Sequence, residues 1–185
     1  MMTLKTITDY LEELAPLKYA EDFDNVGLLV GNYATKITNV LVTLDTLEET
    51  VDEAIASNCN LIISFHPIIF SGLKKINGTS YVERVVLKAI KNDIAIYATH
   101  TALDNSKNGV SAKMCEVLGL ANTKILIPKK ELTNVGMGMI GELPKEMNES
   151  AFLQFLKETM KTDCVRHSNF INKKIKKVAV LGGSG

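Results

Sequence analysis

The chain has 185 residues, 46% of them hydrophobic, which is enough to bury the core of one α/β domain or of two small lobes. Its 21 basic side chains balance 21 acidic ones, so the composition argues against a nucleic-acid partner and against an acidic disordered tail. No apolar run approaches the roughly 20 residues that a membrane span needs, and the N-terminus lacks an apolar signal core. Three widely spaced cysteines argue against a disulfide framework. We therefore expect a cytoplasmic protein with no membrane partner and no nucleic-acid partner.

The first part of the chain alternates helices with short, nearly continuous apolar strands. A helix that ends at about Leu14 and is capped by Thr3 or Thr6 comes first. A capping box of Thr46 and Glu49 predicts the start of the second helix. The predicted strands are 26–30, 39–45, 60–67 and 93–100, and the predicted later helices are 46–58, 81–92 and 111–118. This alternation predicts a mostly parallel sheet flanked by helices on both faces.

The remainder of the chain differs from the first part in the kind and order of its predicted elements. A turn near 128–134 leads into a glycine-rich strand, VGMGMIGEL, and then into a helix at 149–160 that Asn148 or Ser150 opens. A final strand runs into the glycine turn GGSG. We expect an α/β fold of two closely packed lobes: 1–128, which carries the metal-site motifs, and 129–185, the start of a second lobe that we expect to be incomplete.

Polar residues stand where the predicted strands begin or end. Asp24–Asn25 precede the first strand, Asp45 ends the second and His66 ends the third. His100 and Asp104 follow the fourth strand, four positions apart, so a helical turn there would bring both side chains to one face. Because ligands bind beyond the carboxyl ends of parallel strands, these residues form the candidate site.

Imidazole and carboxylate groups together suit Zn, Fe, Mn or Co better than Ca²⁺. His66, His100 and Asp104 are therefore the predicted metal ligands, and two bridged ions would make a hydroxide nucleophile near neutral pH. Simpler interpretations stay open, namely Asp24–Asn25 as a hydrogen-bonded turn and His66 as a structural histidine. His167 lies in a polar stretch and is expected at the surface. The terminal GGSG fits a tight turn better than a phosphate-binding loop, because it lacks the lysine of such loops.

Five segments in order, DNVGLLVG, HPIIF, ATHTALD, GMGMIGEL and VAVLGGSG, resemble the GTP cyclohydrolase 1 type 2-like family, also described as the dinuclear-metal-centre proteins. The resemblance covers essentially the whole chain. It implies an α/β fold that assembles into a toroidal homohexamer, with two divalent metal ions per subunit facing an inner cavity. It also implies metal-dependent hydrolase chemistry, including the opening of the GTP purine ring that has been ascribed to some members.

The family's His-His-Pro strand end falls on 65–67 of this chain. His66 matches the second histidine, whereas Phe65 replaces the first. Because a phenyl ring has no lone pair to donate, the resemblance implies that one metal ion loses a ligand or takes a water instead. The family's Thr-His-x-x-Leu-Asp supports His100 as a ligand or as a group behind the ligands, and Asp104 as the bridging carboxylate.

The family's remaining ligands, a His and a Glu four positions apart on a late helix, have no counterpart in these 185 residues. The resemblance therefore predicts that a C-terminal segment is missing. Larger members also carry an extra domain before the GMGMIGEL strand, where this chain has only the short connection Lys129–Asn134.

Three functions remain open at this point. The first is a metal-dependent hydrolase acting on a nucleotide-like small molecule, in which Asp45 or Asp24 orients the attacking water. The second is a non-catalytic oligomeric metal-binding scaffold or regulatory protein, which the Phe65 substitution favours. The third is a plain α/β domain whose histidines are packed in its core.

Overall fold

The fold comes from a computed structural model that describes residues 2–130 and 132–183. The chain divides into two compact units, Met1–Leu103 and Asp104–Gly185. Among the described residues, no helix is both long enough and apolar enough to cross a membrane.

The first unit is a four-stranded sheet with helices on both faces. Its elements are α1 (Leu4–Leu14), β1 (Gly27–Val30), β2 (Val40–Thr43), α2 (Glu48–Ala56), β3 (Leu61–Ser64), α3 (Tyr81–Lys91), β4 (Ala95–Ala98) and the start of α4 (His100–Asp104). The strand order is β1-β4-β3-β2. The pairs β2/β3 and β3/β4 are parallel and β1/β4 is antiparallel, which confirms the predicted mostly parallel sheet.

Alternate residues of the central strands supply two separate cores, one on each face of the sheet. On one face, Ile62 and Ile96 pack with buried residues of α2 and α3. On the other face, Leu61 and Tyr97 pack with Leu4 of α1. Because successive side chains of a strand point to opposite faces, a strand buried on both faces reads as a continuous apolar run, as these two do.

The start of α2 differs from the predicted capping box. The residue at the N-cap is Leu47, and the side chain that caps the turn is that of Thr50, whose hydroxyl accepts the Leu47 N–H at 3.2 Å. The Thr50 hydroxyl in turn donates to the Asp45 carbonyl at 3.1 Å. The predicted pair Thr46 and Glu49 was therefore wrong, because the helix begins one residue too late for Thr46 to cap it. The predicted Thr3 cap of α1 is confirmed.

The second unit is a three-stranded antiparallel sheet with two helices. Its elements are α5 (Val110–Val117), β5 (Ala121–Lys129), β6 (Leu132–Asn148), α6 (Glu149–Met160) and β7 (Lys174–Val180), with the strand order β5-β6-β7. Asn148 caps α6, as one of the two predicted alternatives. The sequence did not predict β5, because most of its residues are exposed and its apolar residues therefore carry no alternating signal.

The division between the units lies at Leu103 and Asp104, whereas the sequence placed a boundary at 128. The physical reason is the packing of α5. Its residue Cys115, and Leu118 just beyond its end, join the buried cluster of β6 and β7 that includes Leu143. The helix therefore belongs with the antiparallel sheet that follows it.

One glycine of the GMGMIGEL motif has a clear structural role. Gly136 has a φ of +154°, and a Cβ placed on it would lie 2.1 Å from the Ile127 carbonyl oxygen and 2.7 Å from Pro128 Cα. No side chain fits between β5 and β6 at this point, so the close approach of these strands requires glycine.

Candidate metal centre

The polar residues singled out in the first unit meet at one edge of its sheet. Thr43, Ser64 and Ala98 are paired neighbours at the carboxyl ends of β2, β3 and β4. The side chains of Asp45, His66 and His100 follow these three strand ends. Because β1 is antiparallel and Gly27 pairs with Ala98, the residues just before β1, among them Asp24, lie at the same edge.

His66 is held against Asp45. Its backbone N–H donates to the Leu44 carbonyl at 3.0 Å, and its carbonyl accepts from the buried Ser64 hydroxyl at 2.9 Å. The ring atom Nδ1 lies 2.8 Å from Asp45 Oδ1, and both side chains are about half exposed. This contact leaves Nε2 as the ring nitrogen that can bind a metal ion.

His100 is held in an uncommon backbone conformation. It is the first residue of α4 and has a φ of +26°, a region that non-glycine residues seldom occupy. Its N–H donates to the Phe65 carbonyl at 2.9 Å, which ties the turn to the end of β3. Such outliers concentrate at functional sites, where surrounding contacts offset the strain.

Asp24 binds the ring of His100. Both carboxylate oxygens of Asp24 lie close to His100 Nδ1, at 2.8 and 2.9 Å, and the aspartate side chain is fully buried. Asp24 also accepts from the Asn25 N–H at 2.8 Å and from the N–H and hydroxyl of Thr101 at 3.1 and 2.5 Å. The Thr101 hydroxyl accepts the Glu21 N–H, so its own proton is free to go to Asp24.

These contacts determine the protonation of the pair. Burial raises the pKa of Asp24, but the hydrogen bonds from Thr101, His100 and Asn25 outweigh burial and bring that pKa below its usual value. Asp24 is therefore ionised at neutral pH and can only accept hydrogen bonds. The proton between the two groups must belong to His100 Nδ1, which leaves the Nε2 lone pair for a metal ion.

The two imidazoles are neighbours, and Phe65 lies against both. The centroids of the His66 and His100 rings are 5.5 Å apart, at an interplanar angle of 73°. The Phe65 ring is 5.0 Å from His66 and 5.5 Å from His100. Two nitrogens on one zinc ion are at most about 4 Å apart, and rings at this separation allow that approach. Phe65 thus fills space beside both candidate ligands without being able to bind metal.

Asp104, the third predicted ligand, belongs to the second unit. It is the last residue of α4, so the segment from His100 to Asp104 is helical, as its predicted role required. Within its own unit, Asp104 Oδ1 lies 3.5 Å from where a Cβ on Gly182 would stand. In the part of the chain that the structure describes, no three His, Cys, Asp or Glu side chains form a ready metal-binding group. The assignment of Asp104 as a ligand therefore stays a prediction.

Two other sequence features have simple outcomes. His167 is exposed, stacks on Phe170 with centroids 4.9 Å apart, and places Nδ1 2.7 Å from the Ser168 carbonyl. The prediction of a surface histidine is thus confirmed. The last two residues of the GGSG turn lie outside the described residues, at 184–185.

The role of Asp24 as the partner of His100 was not predicted from the sequence, and Thr101 was not among the candidate residues. Asp24 does bind the Asn25 N–H, as the predicted turn would, but its main partners lie more than 70 positions later in the chain. The signals in the sequence were the position of Asp24 shortly before a strand and its place at the start of the segment DNVGLLVG. The position before a strand becomes informative only once β1 is known to run antiparallel to β4.

A profile of the Duf34/NIF3 family (NGG1p interacting factor 3) matches residues 2–185. The chain belongs to the Duf34/NIF3 family. It is 35% identical over 185 residues to a GTP cyclohydrolase 1 type 2 homolog of Clostridium acetobutylicum, of which it spans 69%. It is also 39% identical over 130 residues to the NIF3-like protein 1 of Rattus norvegicus, and this match covers 70% of the chain and 35% of the rat protein.

Solved structures carry the same fold as this Duf34/NIF3 chain. A hypothetical protein of Staphylococcus aureus superposes with a TM-score of 0.90 at 30% identity, over the whole chain and 73% of that protein. A Bacillus cereus protein related to NIF3 gives a TM-score of 0.91 at 26% identity, over the whole chain and 77% of that protein. Reduced HcgD from Methanocaldococcus jannaschii gives 0.83 at 28% identity, over the whole chain and 71% of that protein.

Proposed function

We propose that this Duf34/NIF3 chain binds divalent metal ions through His66 and His100, joined by Asp104, and acts as a metal-dependent hydrolase. The observation that carries the proposal is the pairing of each imidazole with a carboxylate. Both rings offer Nδ1 to an aspartate, at 2.8 Å in each case. Histidines that bind metal characteristically donate their other ring N–H to a carboxylate in this way.

The donor set fits a borderline transition metal. Two imidazole nitrogens and a carboxylate oxygen suit Zn, Fe, Mn or Co, and the family resemblance implies two such ions per subunit. Phe65 removes one nitrogen donor from the pattern of the family. Further donors must therefore come from water or from groups beyond these three side chains.

The protein's own residues have distinct tasks in this proposal. A bound divalent ion would lower the pKa of a water molecule and so supply a hydroxide nucleophile. Asp24 is buried and saturated with hydrogen bonds, so its task is to keep His100 in the Nδ1–H tautomer. Asp45 is half exposed and contacts His66 through Oδ1, so its second oxygen is the group that can orient a water or a substrate.

The substrate, assembly and location of the protein are also proposals. The name of the clostridial relatives, GTP cyclohydrolase 1 type 2 homolog, supports a nucleotide-like small molecule. The resemblance to the family supports a homohexamer. The three cysteines are free thiols, which supports a reducing compartment such as the cytoplasm.

A non-catalytic metal-binding scaffold is the second candidate function. The observation that favours it is Phe65, because a missing donor weakens a two-metal centre more than it weakens a site for one stored or sensed ion. This candidate shares the metal ligands of the first and differs only in lacking turnover.

Metal analysis of the purified protein tests metal binding. We expect at least one equivalent of transition metal per subunit, reduced severalfold in His66→Ala and in His100→Ala. His167→Ala is the matched control, because that histidine is exposed and its ring contacts Phe170 and the Ser168 carbonyl in the second unit. Less than about half an equivalent in the wild type would refute both metal-binding functions.

GTP turnover with metal present separates the two candidates. The hydrolase requires that wild-type protein open the ring or release phosphate and that Asp104→Ala do neither at a comparable rate. If both proteins bind metal and neither turns over, the scaffold is the better account for this substrate. Circular dichroism of each variant checks that its fold is retained.

A further inference from the structure

We propose that Phe23 and Phe70 form an aromatic rim that stacks the planar heteroaromatic ring of the substrate beside His100. This inference deepens the proposed function and rests on it for the identity of the site. Phe23 is 67% exposed and Phe70 is 51% exposed, and their ring centroids lie 6.4 Å apart with a tilt of 48°. The Phe70 ring is also 6.4 Å from the His100 ring, at 79°.

The backbone that carries the rim is fixed by the candidate site itself. Phe23 immediately precedes Asp24, whose carboxylate is buried against His100. Phe70 immediately follows Ile69, whose carbonyl accepts the Asn25 side-chain N–H at 2.5 Å. Both phenylalanines are therefore attached to loops that the hydrogen bonds around His100 hold in place. A ring that stacks on either of them is positioned relative to the imidazoles.

The exposure of these two rings has no explanation in the packing of the unit. Neither Phe23 nor Phe70 belongs to the buried cores of the first unit or to the residues packed on them. Phe65, in contrast, is partly buried and uses its ring against His66 and His100. At 6.4 Å and 48° the two rim rings contact each other only loosely, so each keeps open aromatic surface.

The chemistry of the rim selects for flat aromatic rings. Stacking on phenylalanine favours nucleobases of every kind, because each base has a π-face, and it offers nothing to a sugar phosphate without a base. A ring stacked on Phe70 would lie next to His100, a residue that would hold the proposed metal ion. The rim thus provides a reason why a heteroaromatic ring, and not only a phosphate, would reach the metal.

A tryptophan reporter tests the rim in the full chain. The sequence contains no tryptophan, so Phe70→Trp introduces a single fluorophore and keeps an aromatic face. We expect GMP to quench this fluorescence saturably, and ribose 5-phosphate, which lacks the base, to leave it unchanged. In equilibrium dialysis, Phe23→Leu and Phe70→Leu should each weaken GMP binding at least roughly 5-fold, in line with the loss of one stacked base.

Phe170→Leu is the matched control, since Phe170 is 48% exposed but lies in the second unit and stacks on His167. The rim is refuted if GMP does not bind, if ribose 5-phosphate binds as tightly as GMP, or if the two Leu variants bind GMP like the wild type. It is also refuted if Phe23→Leu changes the oligomeric state in sedimentation and leaves GMP binding intact, because a second copy would then cover the rings.

Metal content measured on the same samples keeps the two proposals apart. Loss of GMP binding in a Leu variant that retains its metal supports the rim, because the metal ligands are then intact. Quenching of the Phe70→Trp fluorescence in protein that never holds metal would support the rim and refute the metal-dependent function.

Discussion

The fully buried carboxylate of Asp24 accepts the Nδ1 proton of His100 at 2.8 Å, although the two residues are 76 positions apart in the chain. The hydrogen bonds that Asp24 receives lower its pKa, so the aspartate is charged and the neighbouring imidazole keeps one tautomer. Asp45 and His66 form a second carboxylate–imidazole pair of the same kind, but both of its side chains are about half exposed to solvent. The difference in burial between the two pairs has measurable consequences.

Replacing Asp24 by asparagine should weaken metal binding more than replacing Asp45 by asparagine. Asp24→Asn removes a buried charge that orients His100, and such losses reduce metal affinity by roughly 10- to 100-fold. Asp45→Asn should have a smaller effect, because water can reach His66 and take over the hydrogen bond. Competition with a chelating dye measures both affinities. Equal affinities in the two variants and the wild type would contradict this account of the pairs.

Phe65→His should increase the metal content of the protein. The Phe65 ring contacts both imidazoles, so a histidine at that position would place a nitrogen donor beside them. We expect about one further equivalent of metal per subunit by elemental analysis, or a clearly tighter last equivalent. Phe65→Leu is the control, since it changes the side chain without adding a donor. A metal content in Phe65→His no higher than in Phe65→Leu would count against a vacated donor position.

Gly136→Ala should destabilise the second unit. The new Cβ would clash with the Ile127 carbonyl and would sit on a backbone with positive φ, so we expect a loss of about 2 kcal/mol or more in unfolding free energy. Gly72→Ala is the matched control, because no atom lies within 4 Å of its added Cβ, and it should shift stability by less than about 0.5 kcal/mol. Urea unfolding compares the two. Similar midpoints would show that the strands can separate without cost.

The three cysteines should react with a thiol reagent at very different rates. Cys164 is exposed, whereas Cys59 and Cys115 are buried, and burial raises the pKa of the Cys115 thiol. At pH 8 a smaller fraction of Cys115 is therefore the reactive thiolate, and raising the pH should accelerate its modification. Alkylation followed by mass spectrometry should find Cys164 labelled first, with all three labelled only in denaturant. Early labelling of Cys115 would be inconsistent with its packing in the second unit.

Local patterns in the sequence predicted most of the first unit. The apolar runs at 60–67 and 93–100 predicted β3 and β4, and His66 and His100 were found because they stand at the ends of those runs. The partner of His100 could not be read in the same way, because nothing local in the sequence says that β1 pairs antiparallel with β4. The strand β5 was not predicted for a different reason. A mostly exposed strand has no buried face, so its apolar residues do not alternate with polar ones.

The pairing of β1 with β4, rather than with β2, governs the order in which the site can form. During synthesis β1 is made first among the strands, and its neighbour in the sheet is the last strand of the unit. Long-range pairing of this kind forms late, because the chain loses the entropy of closing the loop between the strands before it gains the contacts of the pairing. A nascent chain can pair His66 with Asp45 once β2 and β3 are in place, but His100 has its partner Asp24 only after β1 has joined β4. Metal capture by both imidazoles together would accordingly report that the first sheet has finished folding.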